Sequence, residues 1–214
     1  MKNLLLLNTS IVVEKPLFRR DKIKLEYGAK RIESYLDGFK ALRKTKTIEL
    51  FDEVALADNT VLSSSKLPKP LTKLLPANTN FYCNKNNSVG RLNKGAGMLE
   101  SLKSNRSLIE SYDLIFYFEP RLIIFDNQVI NLFLKAKHNI FSLETNTRVK
   151  TGYFGTRSED LIHFIDLYSS EKLIADNLHI EDLMYDHYKD KTTSFMDIDI
   201  SLWKNYLSNK YEKY

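Results

Sequence analysis

The chain has 214 residues, of which 43% are hydrophobic and 28% charged, with only five prolines. This length and composition exclude general disorder and predict a single domain over residues 1–214. One cysteine and four histidines exclude an intrachain disulfide framework and a Cys/His zinc cluster of ordinary spacing. The net charge of +5 is spread along the chain, so it favours an anionic partner without naming one.

Apolar runs predict strands over residues 4–13, 48–57, 81–83 and 114–118. Helical spacing of apolar residues from Ile32 to Leu42 predicts a helix of about four turns, and a second helix is predicted over 97–109. Residues 63–76 carry three of the five prolines and are predicted to be irregular. The alternation of predicted strands and helices implies parallel crossover connections. We therefore expect an α/β fold with a mostly parallel central sheet flanked by helices.

The second half predicts a helix over 129–134, strands over 139–143 and 148–154, and helices after Ser158 and over 180–188. Ser158 is predicted to cap its helix. Residues 200–214 are predicted to be a C-terminal helical extension that packs on the domain or lies at a lipid interface.

No apolar run approaches the roughly 18 to 20 residues that span a bilayer. The apolar start, 4–7, is interrupted by Asn8, Thr9 and Ser10, and no small-residue cleavage site follows, so it predicts a buried strand rather than a signal peptide. A single cysteine fits a reducing compartment. We therefore expect a cytoplasmic protein, with peripheral membrane contact left open.

Five of the seven glycines lie between Gly90 and Gly155. Among them, Gly95 and Gly97 follow Asn93 and Lys94 where a polar loop gives way to a helical pattern. Glycine lets backbone N–H groups approach a phosphate, and a helix start adds unpaired N–H groups and a positive dipole end. The pattern predicts a nucleotide or sugar-phosphate site, although a plain loop before a helix would look the same.

Four stretches of the chain, residues 54–60, 93–97, 112–121 and 149–161, together resemble the GT-A nucleotide-sugar glycosyltransferases over about residues 3–190. The likeness is strongest to small bacterial and viral polysaccharide-type transferases. The resemblance implies a Rossmann-like domain that holds a nucleotide-sugar donor at the carboxyl ends of its first strands. It also implies a glycan or lipid-linked glycan acceptor, in surface polysaccharide or glycoprotein glycan synthesis.

In that family the strand corresponding to 114–118 commonly ends in Asp-x-Asp, which holds a divalent metal across the diphosphate. Here the same place has Glu119, Pro120 and Arg121. A lone carboxylate makes a poor magnesium or manganese site, whereas a guanidinium can pair with phosphate oxygens directly. The sequence therefore leaves Mn²⁺ or Mg²⁺ as a possible cofactor, for which Glu119 is the best single candidate ligand. We expect the metal to be dispensable.

The predicted donor-binding residues are polar, charged or glycine residues at strand ends and helix starts. A strand-end Asp can accept hydrogen bonds from ribose hydroxyls, but Asp and Asn also favour turns, and a strand-end charge is often merely solvated. The predicted set is Asn8, Thr9, Asp58, Asn59, Asn93, Lys94, Gly95, Gly97, Glu119 and Arg121.

Transfer also needs a group that takes the proton of the acceptor hydroxyl. GT-A enzymes that invert configuration often carry this acid in a late Glu-Asp pair, and the resemblance implies Glu181 and Asp182 as catalytic candidates. Acids in a first helical turn are also stabilised by the helix dipole without any function. Glu159 and Asp160 compete for the role, but the start of their own helix explains them more completely.

Two other functions remain open. Positive charge and many aromatics would suit a nucleic-acid-binding protein or nuclease, but the basic residues form no sustained stripe and no two-metal acid cluster is evident, so no nucleic acid is expected as a partner. The absence of Asp-x-Asp at Glu119 would also suit a noncatalytic sugar-nucleotide-binding domain.

Overall fold

The computed structural model describes residues 1–11, 29–84, 87–205 and 210–213. The helices are α1 (Ala29–Lys44), α2 (Lys69–Thr72), α3 (Lys94–Ser104), α4 (Arg106–Glu110), α5 (Gln128–Ala136), α6 (Ser158–Leu167), α7 (Ser170–Ala175) and α8 (Ile180–Tyr188). The strands are β1 (Asn3–Thr9), β2 (Glu53–Asp58), β3 (Asn80–Cys83), β4 (Leu114–Phe118), β5 (Leu122–Ile124), β6 (Asn139–Thr145), β7 (Arg148–Arg157), β8 (Thr193–Met196), β9 (Ser201–Asn205) and β10 (Lys210–Lys213).

Seven strands form the central sheet, in the order β3-β2-β1-β4-β7-β6-β8. The pairs β3–β2, β2–β1, β1–β4 and β6–β8 are parallel, while β7 runs antiparallel to both of its neighbours. The predicted α/β fold with a mostly parallel sheet flanked by helices is confirmed. Parallel pairing places the ends of β1, β2, β3 and β4 at one edge, called here the carboxyl edge, and the antiparallel β7 begins there.

The sheet separates two apolar cores because successive strand residues point to opposite faces. In β1, Leu5 and Leu7 pack on the side of α1 and α5, against residues such as Phe39 and Phe133. Leu4 and Leu6 pack on the opposite side, with α3, α6 and α8. All four leucines are at most 1% exposed, which is why this strand is a continuous apolar run rather than an alternating one.

Some predicted boundaries were wrong. β1 ends at Thr9, and residues 12 and 13 of its predicted span lie outside the described residues. The strand predicted from residue 48 begins at Glu53, because Thr47–Leu50 form a 3₁₀ turn in which the buried Thr47 donates a 2.6 Å hydrogen bond to Asn127 Oδ1. The helix predicted over 97–109 begins earlier, at Lys94, and is divided in two at Asn105.

Ser158 does not cap α6, contrary to the prediction. It is the first helical residue, preceded by Arg157 in extended conformation, and its hydroxyl donates to the carbonyl of Ile109 at 2.6 Å. Ser158 thus links the start of α6 to the end of α4 and does not cap its own helix.

The predicted C-terminal helical extension over 200–214 was also wrong. Ser201–Asn205 and Lys210–Lys213 are antiparallel strands, and β9 pairs with β5 to form a three-stranded sheet in the order β10-β9-β5. The segment is rich in aromatic residues, which favour strands, and the backbone of β9 pairs with that of β5. β5 begins directly after Arg121, so this second sheet is connected to the carboxyl edge.

Candidate functional site

The carboxyl edge collects the polar residues that follow β1, β2 and β4. Parallel pairing places Thr9 opposite Asp58 and Leu7 opposite Phe118, so the exits of these three strands are neighbours. Open α/β sheets bind ligands outside such strand ends. This edge is therefore the candidate site.

Glu119 and Arg121 form an ion pair at the exit of β4. The Nε of Arg121 donates to Glu119 Oε1 at 2.6 Å, and its Nη2 contacts the same oxygen. The backbone is held as well, since the N–H of Glu119 donates to Gly152 O at 2.7 Å and that of Leu122 to Glu119 O at 3.0 Å. Both side chains remain about one quarter exposed, at 25% for Glu119 and 23% for Arg121.

Two further cations act on this carboxylate. Burial alone would raise the pKa of Glu119, but the charges of Arg121, Arg31 and Lys94 outweigh it and hold that pKa below its ordinary value. Lys94 is the first residue of α3 and is exposed to solvent. We call Arg31, Lys94, Glu119 and Arg121 the Glu119 cluster, and these four side chains carry a net charge of +2.

Arg31 and its neighbour Tyr35 were missed from the sequence. Arg31 is only 8% exposed, its Nε donates to the carbonyl of Ser10, and its guanidinium lies 5.6 Å from the centre of the Tyr35 ring. The Tyr35 hydroxyl accepts from the N–H of Ser10 at 2.9 Å. Burial raises the pKa of this phenol, which keeps it neutral. The available signal was that Arg31 lies one turn before Tyr35, on the apolar side of α1.

Asp58 is engaged within the protein. Its Oδ2 accepts from Thr9 Oγ1 and from the N–H of Ile11, and its Oδ1 accepts from both the N–H and hydroxyl of Thr60 and from the N–H of Val61. These five bonds, 2.6 to 3.1 Å long, tie the exits of β1 and β2 together. Its contacts explain Asp58 as a turn residue, and the donor role predicted for Asp58 and Thr9 stays a prediction.

Asn8 and Asn59 are likewise buried and bonded to protein. Asn8 accepts from the hydroxyl of Ser101 on α3 at 2.6 Å. Asn59 accepts from Ser10 Oγ at 2.7 Å and donates to Asn87 Oδ1 at 3.3 Å. Both residues lie at the carboxyl edge, and the donor-binding role predicted for them stays a prediction.

Packing accounts for the glycine motif. Asn93 caps α3 by accepting from the N–H of Ala96 at 3.0 Å, and it donates to two carbonyls near α7. A Cβ added at Gly95 would lie 2.8 Å from the Cβ of Ile180. A Cβ added at Gly97 would lie 2.7 Å from the Cα of Gly90. Both glycines are buried. They let α3 approach α8 and the preceding loop, and the predicted phosphate contact remains a prediction.

The late acids lie beside the same edge, but their environments differ. Both oxygens of Asp182 accept from Arg148, each at 2.8 Å, and these bonds hold the pKa of Asp182 below its ordinary value. Glu181 accepts from Thr151 Oγ1 at 3.2 Å, one residue before the Gly152 that contacts Glu119. Glu181 thus contacts β7 next to the residue that is bonded to Glu119, whereas both oxygens of Asp182 are bonded to Arg148.

The residues around Glu119 do not fit a divalent metal. Magnesium and manganese favour several oxygen ligands with negative charge, yet Glu119 is a single carboxylate that is already paired with Arg121 and lies in the field of Arg31 and Lys94. Over residues 1–11, 29–84, 87–205 and 210–213, no group of three or more His, Cys, Asp or Glu side chains is placed to hold a metal ion.

Comparison with known proteins supports the fold. No family model and no curated protein matches the chain. It is similar to the structure of a "putative nucleotide-diphospho-sugar transferase" from Desulfovibrio desulfuricans G20, with a TM-score of 0.52, 12% identity, and coverage of 92% of this chain and 80% of that one. The chain has a nucleotide-sugar transferase-like fold. At this identity the likeness concerns the fold alone.

The structure of a protein from Aquifex aeolicus VF5 aligns with 92% of this chain and 86% of its own length, at 14% identity and a TM-score of 0.47. Among the described helices, none is long and apolar enough to cross a membrane.

Proposed function

We propose that this protein is a GT-A-type glycosyltransferase that moves a sugar from a nucleoside diphosphate donor to a glycan acceptor. The observation that carries the proposal is the Glu119 cluster, which brings three cations to the carboxyl edge of a nucleotide-sugar transferase-like sheet. Ligands of such sheets bind at this edge, and a diphosphate is the anion that every donor of this class presents.

In this proposal the cations stabilise the leaving group. When the bond between the anomeric carbon and the diphosphate oxygen breaks, negative charge grows on that oxygen. Arg31 is held in place before the donor arrives by Ser10 and Tyr35, and the turn that carries Arg121 is fixed by the backbone hydrogen bonds of Glu119. Prepositioned charges of this kind lower the barrier because they need no reorganisation during the reaction.

Glu181 is proposed to take the proton of the acceptor hydroxyl while the oxygen of that hydroxyl attacks the anomeric carbon. A base must be able to accept a proton, and Asp182 is disfavoured because Arg148 occupies both of its oxygens and holds its pKa low. Glu181 receives one hydrogen bond of 3.2 Å from Thr151, which orients it without neutralising its charge.

The acceptor is proposed to be a glycan or lipid-linked glycan used in surface polysaccharide or glycoprotein glycan synthesis. A lipid-linked acceptor would bring the enzyme to the membrane surface as a peripheral protein on its cytoplasmic side. The net charge of +5 favours such contact with anionic lipid.

The test is turnover of a panel of nucleotide sugars, followed as release of nucleoside diphosphate with and without added glycan acceptors. Release that depends on one donor and is lost in Arg121→Ala supports the proposal. Binding of a donor without release in any mixture would instead indicate a noncatalytic sugar-nucleotide-binding domain. Salt-sensitive oligonucleotide binding without nucleotide binding would indicate a nucleic-acid-binding protein.

A further inference from the structure

The Glu119 cluster differs from a metal-binding diphosphate site in the sign of its charge. Two carboxylates would present negative charge to a divalent cation, which in turn would hold the phosphates. Here a single carboxylate is paired with Arg121 and influenced by Arg31 and Lys94. A cation placed against Glu119 would meet three like charges.

We propose that the Glu119 cluster binds the donor diphosphate without a divalent cation, and that Glu119 is an internal anion that the diphosphate displaces from Arg121. This inference rests on the proposed function, since it concerns the same donor site. It assigns the neutralising role to Arg31, Lys94 and Arg121 and gives Glu119 a role opposite to that of a metal ligand.

Charge balance supports direct binding. The four side chains carry a net charge of +2, and a nucleoside diphosphate sugar carries two negative charges on its diphosphate. Guanidinium groups bind phosphate oxygens in bidentate geometry and stay charged at all physiological pH values. Arg31 is the better anchored of the two arginines, because the Ser10 carbonyl and the Tyr35 ring fix its position.

The backbone geometry supports displacement of the side chain alone. The N–H and C=O of Glu119 are bonded to Gly152 and Leu122, and a Cβ at Gly38 would come 1.9 Å from the carbonyl oxygen of Pro120, so α1 packs directly on this turn. The turn is therefore fixed, whereas the Glu119 and Arg121 side chains are about one quarter exposed and reach solvent. An entering phosphate can take over the guanidinium while the Glu119 side chain rotates away.

The test uses inorganic pyrophosphate as the probe, titrated calorimetrically into the full-length protein in EDTA and, separately, in excess Mn²⁺. Wild type is expected to bind saturably in EDTA. Glu119→Gln is expected to bind about five-fold or more tightly, because it removes the competing charge while keeping the shape. Arg121→Gln is expected to bind at least about ten-fold more weakly.

The matched control is Glu159→Gln. Glu159 forms a 2.5 Å pair with Arg157, again two residues apart, at the opposite edge of the sheet. Its substitution should leave pyrophosphate affinity unchanged, and thermal unfolding of each variant verifies that it is folded.

Weaker binding by folded Glu119→Gln in either condition, or wild-type binding that requires Mn²⁺, would overturn this inference. The proposed function would still stand if a nucleoside diphosphate bound only with Mn²⁺. If neither pyrophosphate nor any nucleoside diphosphate bound in either condition, both proposals would fail.

Discussion

Gly38 of α1 lies against the peptide carbonyl of Pro120: a Cβ at position 38 would be 1.9 Å from Pro120 O and 2.9 Å from Leu122 O. No side chain larger than hydrogen fits there unless the helix or the turn moves. Because Pro120 separates Glu119 from Arg121, this contact sets the distance between α1, which carries Arg31, and the other arginine of the cluster. The geometry of the proposed donor site therefore depends on one glycine outside it.

Gly38→Ala should lower stability and donor affinity together. Overpacking costs up to ~3 kcal/mol, and a Cβ this close to backbone atoms belongs at the upper end of that range, above the ~1 kcal/mol that alanine gains over glycine in an unhindered helix. Urea unfolding and nucleotide titration measure the two effects. The control is Lys40→Ala, an exposed position on the same helix, where a change within about 0.5 kcal/mol is expected. A Gly38→Ala protein of raised stability would contradict the described contact.

Gly97→Ala distinguishes a packing role from a purely phosphate-binding one. The new Cβ would lie 2.7 Å from Gly90 Cα, a backbone atom, so we expect overpacking to outweigh the gain in helix propensity and the free energy of unfolding to fall by up to ~2 kcal/mol. If the glycine were needed only to admit a phosphate, its replacement by alanine would instead raise the free energy of unfolding by up to ~1 kcal/mol. Ser104→Ala, at the exposed end of the same helix, controls for helix propensity. A stabilised Gly97→Ala variant would contradict the packing role.

Glu181→Gln should lower kcat by at least about 100-fold and leave donor affinity nearly unchanged, because a general base acts on the acceptor rather than on the diphosphate. Steady-state kinetics with calorimetric donor titration separates the two quantities.

Asp182→Asn should leave kcat close to that of wild type and cost less than about 1 kcal/mol of stability, since its pair with Arg148 is partly exposed to solvent. Arg148→Gln is the matched control, because it breaks the same pair and keeps both acids. If Asp182→Asn abolished turnover while Arg148→Gln did not, Asp182 would be the base.

His187 predicts a pH dependence of stability. Burial, with the nearby charge of Lys191, lowers the pKa of His187 from 6.5 to about 4 in the folded protein. The unfolded chain therefore binds more protons between pH 6.5 and 4, and stability falls as the pH falls through this range. Because the ring is only half buried, His187 is expected to account for about 1 to 2 kcal/mol.

In His187→Gln, the midpoint of urea unfolding should change less with pH over this range than it does in wild type. The exposed His179→Gln controls for loss of an imidazole elsewhere in the chain. A His187→Gln protein with the wild-type slope would contradict the assignment.

The sequence was most informative where one physical pattern dominated. The apolar run 4–7 predicted a strand covered on both faces, and the periodic residues from Ile32 to Leu42 predicted α1, because burial on a sheet demands these patterns. The C-terminal strands escaped prediction since their partner is β5, about 80 residues earlier in the chain. Pairing over that separation leaves no mark on local periodicity.

The candidate site was predictable in part for the same reason. Strand exits identified Glu119 and Arg121, but Arg31 became a site residue only through contacts with Ser10 and Tyr35 that the fold creates. The glycines after Asn93 were visible as a motif, yet their neighbours Gly90 and Ile180 were not. Proximity in space, rather than residue type, separates a packing glycine from a phosphate-binding one.

The most direct test of the donor-site proposal is calorimetric titration of the purified protein with the diphosphates of uridine, guanosine, cytidine and thymidine, each with and without manganese. We predict saturable binding of one nucleotide, present without manganese and weakened by ~1.5 to 3 kcal/mol in Arg121→Ala. Absence of binding to all four in both conditions would contradict the account.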